Sequence, residues 1–142
     1  MTINVVMGFD YGRRRVGVAV GQTVTGDARP LETLRCPDEG RPDWAGIERL
    51  LREWQPDMVV VGRPSHADGS DSPITVAAER FARQLQGRFG IAVQMVDERL
   101  SSVEAEARLA AAEGKRARHA KEAVDMMAAS IILETWLSDY HP

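Results

Sequence analysis

The chain of 142 residues holds a single cysteine, Cys36, and three scattered histidines, His66, His119 and His141. One thiol excludes a disulfide framework and fits a reducing compartment, and so few soft ligands leave no structural zinc site. Lysine is almost missing as well: Lys115 and Lys121 are the only two among 18 basic residues. No apolar run approaches the ~20 residues of a membrane span, and no basic segment followed by a long apolar stretch opens the chain. There is no internal repeat and no low-complexity tract. A large charge of either sign is also missing. At a net charge of −3, any nucleic-acid role must rest on local patches. The expectation is one cytoplasmic domain over residues 1–142, away from membranes. With 44% hydrophobic residues it can build a core.

What is present is organised around residues 5–20. Val5-Val6-Met7-Gly8-Phe9 is a short apolar run that ends in Asp10, and Tyr11-Gly12 turns the chain into Arg13-Arg14-Arg15. The return segment alternates, with Val16, Val18 and Val20 on one side and Gly17, Ala19 and Gly21 on the other. A face of glycine and alanine admits another backbone or a ligand at close range. A third strand over 29–35 completes a meander. Asp43 caps a helix carrying Trp44, Ile47, Leu51 and Trp54 at helical spacing, and Met58–Val61 reads as a strand buried on both faces. The loop from Gly62 to Asp71 follows that strand's carboxyl end, where α/β sheets place ligands. Ser72-Pro73 starts a helix with Ile74, Ala78, Phe81 and Leu85 inward, ending at Gly87 or Gly90. A strand over 91–96 runs into Asp97-Glu98-Arg99, Ser101 and Glu104 form a capping box, and the last helix runs from about Lys121 to Ser138. Strands in a run, then strands alternating with helices, give an α/β domain with a mixed sheet.

Three acidic positions stand in apolar surroundings: Asp10, Asp97-Glu98 and Asp125. Ala128, Ala129, Ile132 and Trp136 share the helix face of Asp125, so that carboxylate points at the core's edge, where an isolated charge is costly. Convergence of these acids would raise one another's pKa, and a divalent cation removes the conflict. Hard oxygen donors select Mg²⁺ or Mn²⁺, and two such ions about 3.5–4 Å apart can hydrolyse a phosphodiester. The competing explanation for Asp125 is a salt bridge to Lys121 or a nearby arginine. Alternation allows only one of Asp97 and Glu98 to share Asp10's side, and parity does not say which. Lys115, Arg116, Arg118, His119 and Lys121, with Arg13, Arg14, Arg15 and Arg99, would ring the pocket with positive charge for a phosphate backbone.

These residues resemble a known family. Phe9-Asp10-Tyr11-Gly12 with Arg14-Arg15-Val16-Gly17-Val18-Ala19 is similar to the first motif of the YqgF/RuvX family of bacterial RNase H-like proteins. Val61-Gly62-x-Pro64 with Asp68-Gly69-Ser70, Asp97-Glu98-Arg99-Leu100-Ser101-Ser102, and Asp125-x-x-Ala128-Ala129 with Ile132-Leu133 resemble the other three, in order across the whole chain. Gly21-Gln22 replaces a usual Ser-Asp, and Arg63 a usual leucine. The resemblance implies an RNase H-like fold, a five-stranded mixed sheet flanked by helices. It implies Asp10, Glu98 and Asp125 as catalytic metal ligands for two Mg²⁺ or Mn²⁺ ions, which selects Glu98 over Asp97. Arg14, Arg15, Arg99, Lys115, Arg116, Arg118 and Lys121 are the expected substrate contacts, and Arg63 a candidate one. The expected activity is endonucleolytic maturation of the pre-16S rRNA 5′ end, in contact with ribosome-assembly intermediates, with RNA favoured over branched DNA. The alternatives are a Holliday junction resolvase, which needs a homodimer, and a non-catalytic nucleic-acid-binding factor in transcription or ribosome assembly. A sugar-kinase-like phosphotransferase ranks last, since it needs two such domains.

Overall fold

The computed structural model describes residues 2–64, 72–97, 107 and 121–140, with backbone only for 121 and 122. Strands β1 (Val5–Tyr11), β2 (Arg15–Gln22) and β3 (Ala28–Arg35) are followed by helix α1 (Trp44–Trp54), strand β4 (Met58–Arg63), helix α2 (Pro73–Phe89), strand β5 (Ala92–Asp97) and helix α3 (Lys121–Asp139). The described strands form one sheet in the order β3-β2-β1-β4-β5. β1, β2 and β3 pair antiparallel, whereas β4 lies parallel to both β1 and β5. It is the mixed five-stranded α/β arrangement expected. The helix expected after Ser101 and the loop from Ser65 to Asp71 lie outside the described residues.

Strand alternation divides the sheet into two unlike faces. Met7, Phe9 and Tyr11 of β1, Val16, Val18 and Val20 of β2, and Val59 and Val61 of β4 face α1 and α2, which contribute Ile47, Leu50, Ala78, Phe81, Ala82 and Leu85. Leu50, not the expected Leu51, is the deeper residue on α1, at 2% exposure. Val6, Ala19, Met58 and Val60 face the other way, onto Ala129, Ile132, Leu133 and Leu137 of α3. The second face is built from small residues, so α3 packs backbone to backbone. A Cβ added at Gly8 would lie 3.0 Å from the Ala129 carbonyl oxygen, and one at Gly17 would collide with the Asp125 carbonyl.

Local chemistry fixes the element ends. The Asp43 Oδ1 accepts from the Gly46 N–H at 3.0 Å, capping α1. At the head of α2, the Ser72 N–H donates to Thr75 Oγ1 at 3.0 Å and the Thr75 hydroxyl donates to the Pro64 carbonyl, tying the helix to the end of β4. Gly90, at φ 62°, closes α2 in the left-handed conformation. β3 is an edge strand. Its Pro30, which has no N–H to donate, lies beside a register shift between Val18 and Ala19 of β2.

Candidate metal and nucleic-acid site

Asp10 is the last but one residue of β1 and sits directly opposite Gly17 of β2. Opposed residues of an antiparallel pair project to the same face, so Asp10 belongs to the face that α3 covers. Gly17 also lies tight against α3, at the Asp125 backbone. One glycine thus neighbours the backbone of both acidic residues: across the ladder Asp10, across the interface Asp125. The small-residue face read from the sequence admits a helix backbone, and the residue admitted is the acid.

The Asp125 carboxylate is half-buried and accepts from Arg15 Nε at 2.8 Å, with 22% and 23% of the two side chains exposed. The arginine salt bridge weighed as the alternative for Asp125 is therefore present. A charge at this depth is costly without compensation, and Arg15 supplies the counter-charge. Arg15 opens β2 and is turned inward; Arg13 and Arg14 are exposed on the turn. The turn is braced by the next loop, where the Cys36 N–H donates to the Arg14 carbonyl at 2.8 Å and the Gly40 N–H to the Arg13 carbonyl at 2.7 Å. Burial, and then the nearby Asp43, push the Cys36 thiol above its ordinary pKa, against a smaller pull from Arg15.

Register also separates Asp97 from this site. Val6, Gly8, Met58, Val60, Ala92 and Gln94 occupy corresponding positions across β1, β4 and β5, and Arg63 pairs with Asp97 in the opposite phase. Arg63 itself reaches α2, with Nε 3.2 Å from Glu79 Oε2. This part-buried ion pair lies on the face of the sheet away from Asp10. Glu98, Arg99, Lys115, Arg116 and Arg118 lie outside the described residues, and of Lys121 only the backbone, at the start of α3, is described. Among the described residues no three acids, histidines or cysteines converge on one point. The described pair is nonetheless all-oxygen and shares one face, as a hard divalent cation requires.

Reasoning from sequence missed one group of residues. Arg80, Gln84 and Arg88 follow one another at four-residue spacing on α2, beside Trp44 and Tyr11. Their four-residue spacing is visible in the chain, but it lies on the polar side of α2, which the apolar periodicity does not mark.

Comparison with known proteins follows the same outline. A family model described as "RuvX: Holliday junction resolvase" matches residues 4–139. A protein of Edwardsiella ictaluri named "Putative pre-16S rRNA nuclease" is 49% identical over 141 residues, covering 99% of each chain. One of the same name from Nitrosococcus oceani is 50% identical over 138 residues, covering 95% of this chain and 87% of that one. Among solved structures, Thermus thermophilus RuvC in complex with a Holliday junction substrate superposes with a TM-score of 0.52 at 18% identity, covering 94% of this chain and 93% of that one. That likeness establishes the RNase H-like fold. No helix among the described residues is long and apolar enough to cross a membrane.

Proposed function

Since the chain belongs to the RuvX family, we propose that it is a divalent-metal-dependent endonuclease that cleaves the phosphodiester backbone of nucleic acid, with maturation of the pre-16S rRNA 5′ end as its task. The observation that carries this reading is the position of Gly17, opposite Asp10 in the ladder and against Asp125 of α3. Asp10 and Asp125 would hold the cations together with Glu98. Glu98 is included from its place in the family motif, since Asp97 lies in the opposite phase of β5. A divalent cation held there, two ions in the full site, supplies Lewis acidity that activates water and offsets charge developing on the phosphate.

The chain's own side chains do the rest. The rigid end of β1 and the second turn of α3 fix the two carboxylates, so little reorganisation accompanies substrate binding. Arg15 balances Asp125 when no divalent ion is bound and, from the same position, can turn toward a scissile phosphate. Arg14 is exposed beside it, and Arg14, Arg99, Lys115, Arg116, Arg118 and Lys121 would hold the flanking phosphates.

The test compares wild type with Asp10→Asn, Glu98→Gln and Asp125→Asn on a pre-16S 5′ leader and on a four-way DNA junction, each with Mg²⁺ and with Mn²⁺. The expected result is cleavage of the leader by wild type and its loss in every variant. Cleavage surviving all three changes overturns the assignment. The family's description and the junction-bound structural neighbour favour one second reading, junction resolution by a symmetric dimer. Cleavage of the junction alone would select it.

A further inference from the structure

On the sheet face away from α3, a cleft of about 460 Å³ opens between the loop ending at Pro42 and α2. Tyr11, Arg41, Trp44, Arg80, Gln84 and Arg88 line it. We propose that this cleft is a second phosphate-binding subsite, which takes the backbone of a single nucleic-acid strand leaving the catalytic pocket. The proposal rests on the nuclease reading for its choice of ligand, and on four observations for its existence.

The first is charge. Three guanidinium groups border the cleft, in a protein whose net charge is −3. Arg41 already meets Asp38, with Nη1 3.3 Å from Oδ2 on the surface. Arg80 and Arg88 enter no ion pair among the described residues. Unbalanced arginines facing one hollow favour an anion, and their planar forks match phosphate oxygens.

The second is preorganisation. The Arg88 guanidinium carbon lies 4.3 Å from the centroid of the Trp44 ring, and Trp44 is itself stacked on Phe81 at 5.6 Å. Phe81 is 1% exposed, so this cation rests on an aromatic support anchored in the core. Its nitrogens are thereby held in place at little entropic cost.

The third is spacing. Arg80, Gln84 and Arg88 form one row along α2, and at 1.5 Å rise per residue the two arginines stand about 12 Å apart along the axis. A row of that length suits successive phosphates of a strand better than one small anion.

The fourth is continuity. Tyr11 on the cleft floor directly follows Asp10, and the cleft's loop wall is hydrogen-bonded to the arginine turn through Gly40 and Arg13. A strand entering at Arg14 can therefore pass over the carboxyl end of β1 onto the α2 row.

The test measures binding of a fluorescent single-stranded RNA by the full chain in EDTA, where no hydrolysis occurs, from 50 to 200 mM salt. Arg80→Gln/Arg88→Gln is compared with wild type. Arg49→Gln/Arg52→Gln removes the same charge from α1 and serves as the control. Loss of two phosphate contacts should flatten the slope of log affinity against log salt by about 1.4. The wild type's fall in affinity over that range would then exceed the variant's by about 7-fold, while the control keeps the wild-type slope. Arg80→Lys/Arg88→Lys should restore the slope. An unchanged slope in the glutamine variant overturns the proposal, as does equal flattening in the control. Competition by a mononucleotide as effective, per phosphate, as the oligonucleotide also overturns it. A separate Mn²⁺ cleavage assay of Asp10→Asn keeps the two claims apart: cleavage surviving there sinks the nuclease reading and leaves the slope measurement standing.

Discussion

A methyl group added at Gly17 would collide with the Asp125 carbonyl and lie 3.0 Å from the Met126 nitrogen. Backbone atoms of a helix cannot step aside singly, so Gly17→Ala must lift α3 from the sheet. The expected cost is about 1–3 kcal/mol in urea unfolding, with cleavage falling on the order of 100-fold because Asp125 moves relative to Asp10. A variant as stable as wild type would mean that α3 does not pack this closely. Arg15→Gln tests the neighbouring charge. The half-buried pair with Asp125 contributes about 1 kcal/mol, and with the guanidinium gone a divalent ion no longer competes with Arg15. Added Mn²⁺ should therefore raise the Tm of Arg15→Gln by more than that of wild type in thermal melts. Asp57 sets a pH dependence remote from the site. Its Oδ2 accepts from the Asn4 and Val5 N–H groups at 2.7 and 3.0 Å, and these bonds, Val5's first, hold its carboxyl below the ordinary value of 3.8. A depressed carboxylate stabilises the fold above its unfolded pKa and loses that contribution as pH falls through the folded value. Asp57→Asn should cost about 1 kcal/mol at pH 7, and its gap to wild type should narrow below pH 3.8 in urea melts.

At the scale of elements, α2 does two jobs through two faces. Phe81 touches Phe9, Tyr11 and Trp44, with ring centroids 6.0, 4.9 and 5.6 Å away. Phe81→Ala should destabilise the protein by about 3–5 kcal/mol in urea unfolding and also loosen Trp44, the support of Arg88. Much of this architecture was legible in the chain. The alternation of Val16, Val18 and Val20 with Gly17, Ala19 and Gly21 gave the β2 faces, and the inward set of α2 followed from its period. Asp125 stands out as anomalous because Ala128, Ala129 and Ile132 share its face, and all three are buried. Other features depend on distances that a linear pattern does not carry. Three consecutive arginines gave no sign that Arg15 alone turns inward, because that is decided by where α3 crosses. The parity of Asp97 needed the β4–β5 register, and the pairing of Arg63 with Glu79 needed the packing of α2 on β4. The arginine row of α2 was visible as spacing, but only the fold brings it beside Trp44 and the turn.

Taken as a whole, the molecule spends its two sheet faces differently. One holds the larger aromatic and aliphatic core under α1 and α2. The other is kept small so that a helix can deliver a carboxylate to the end of β1. Cations collect around that end: Arg13, Arg14 and Arg15 on the turn, and Arg41, Arg80 and Arg88 beyond it. Net charge conceals this asymmetry, so binding of nucleic acid should be strongly salt-dependent even though the protein is mildly acidic.

On this proposal Asp10 and Asp125, far apart in sequence, share a divalent cation. Calorimetric titration of Mn²⁺ into wild type, Asp10→Asn, Asp125→Asn and Asp97→Asn tests it without substrate. The predicted result is a loss of at least about 10-fold in affinity for both Asp10→Asn and Asp125→Asn, with Asp97→Asn, on the other side of the sheet, close to wild type. Equal Mn²⁺ affinity in all four proteins would contradict the account.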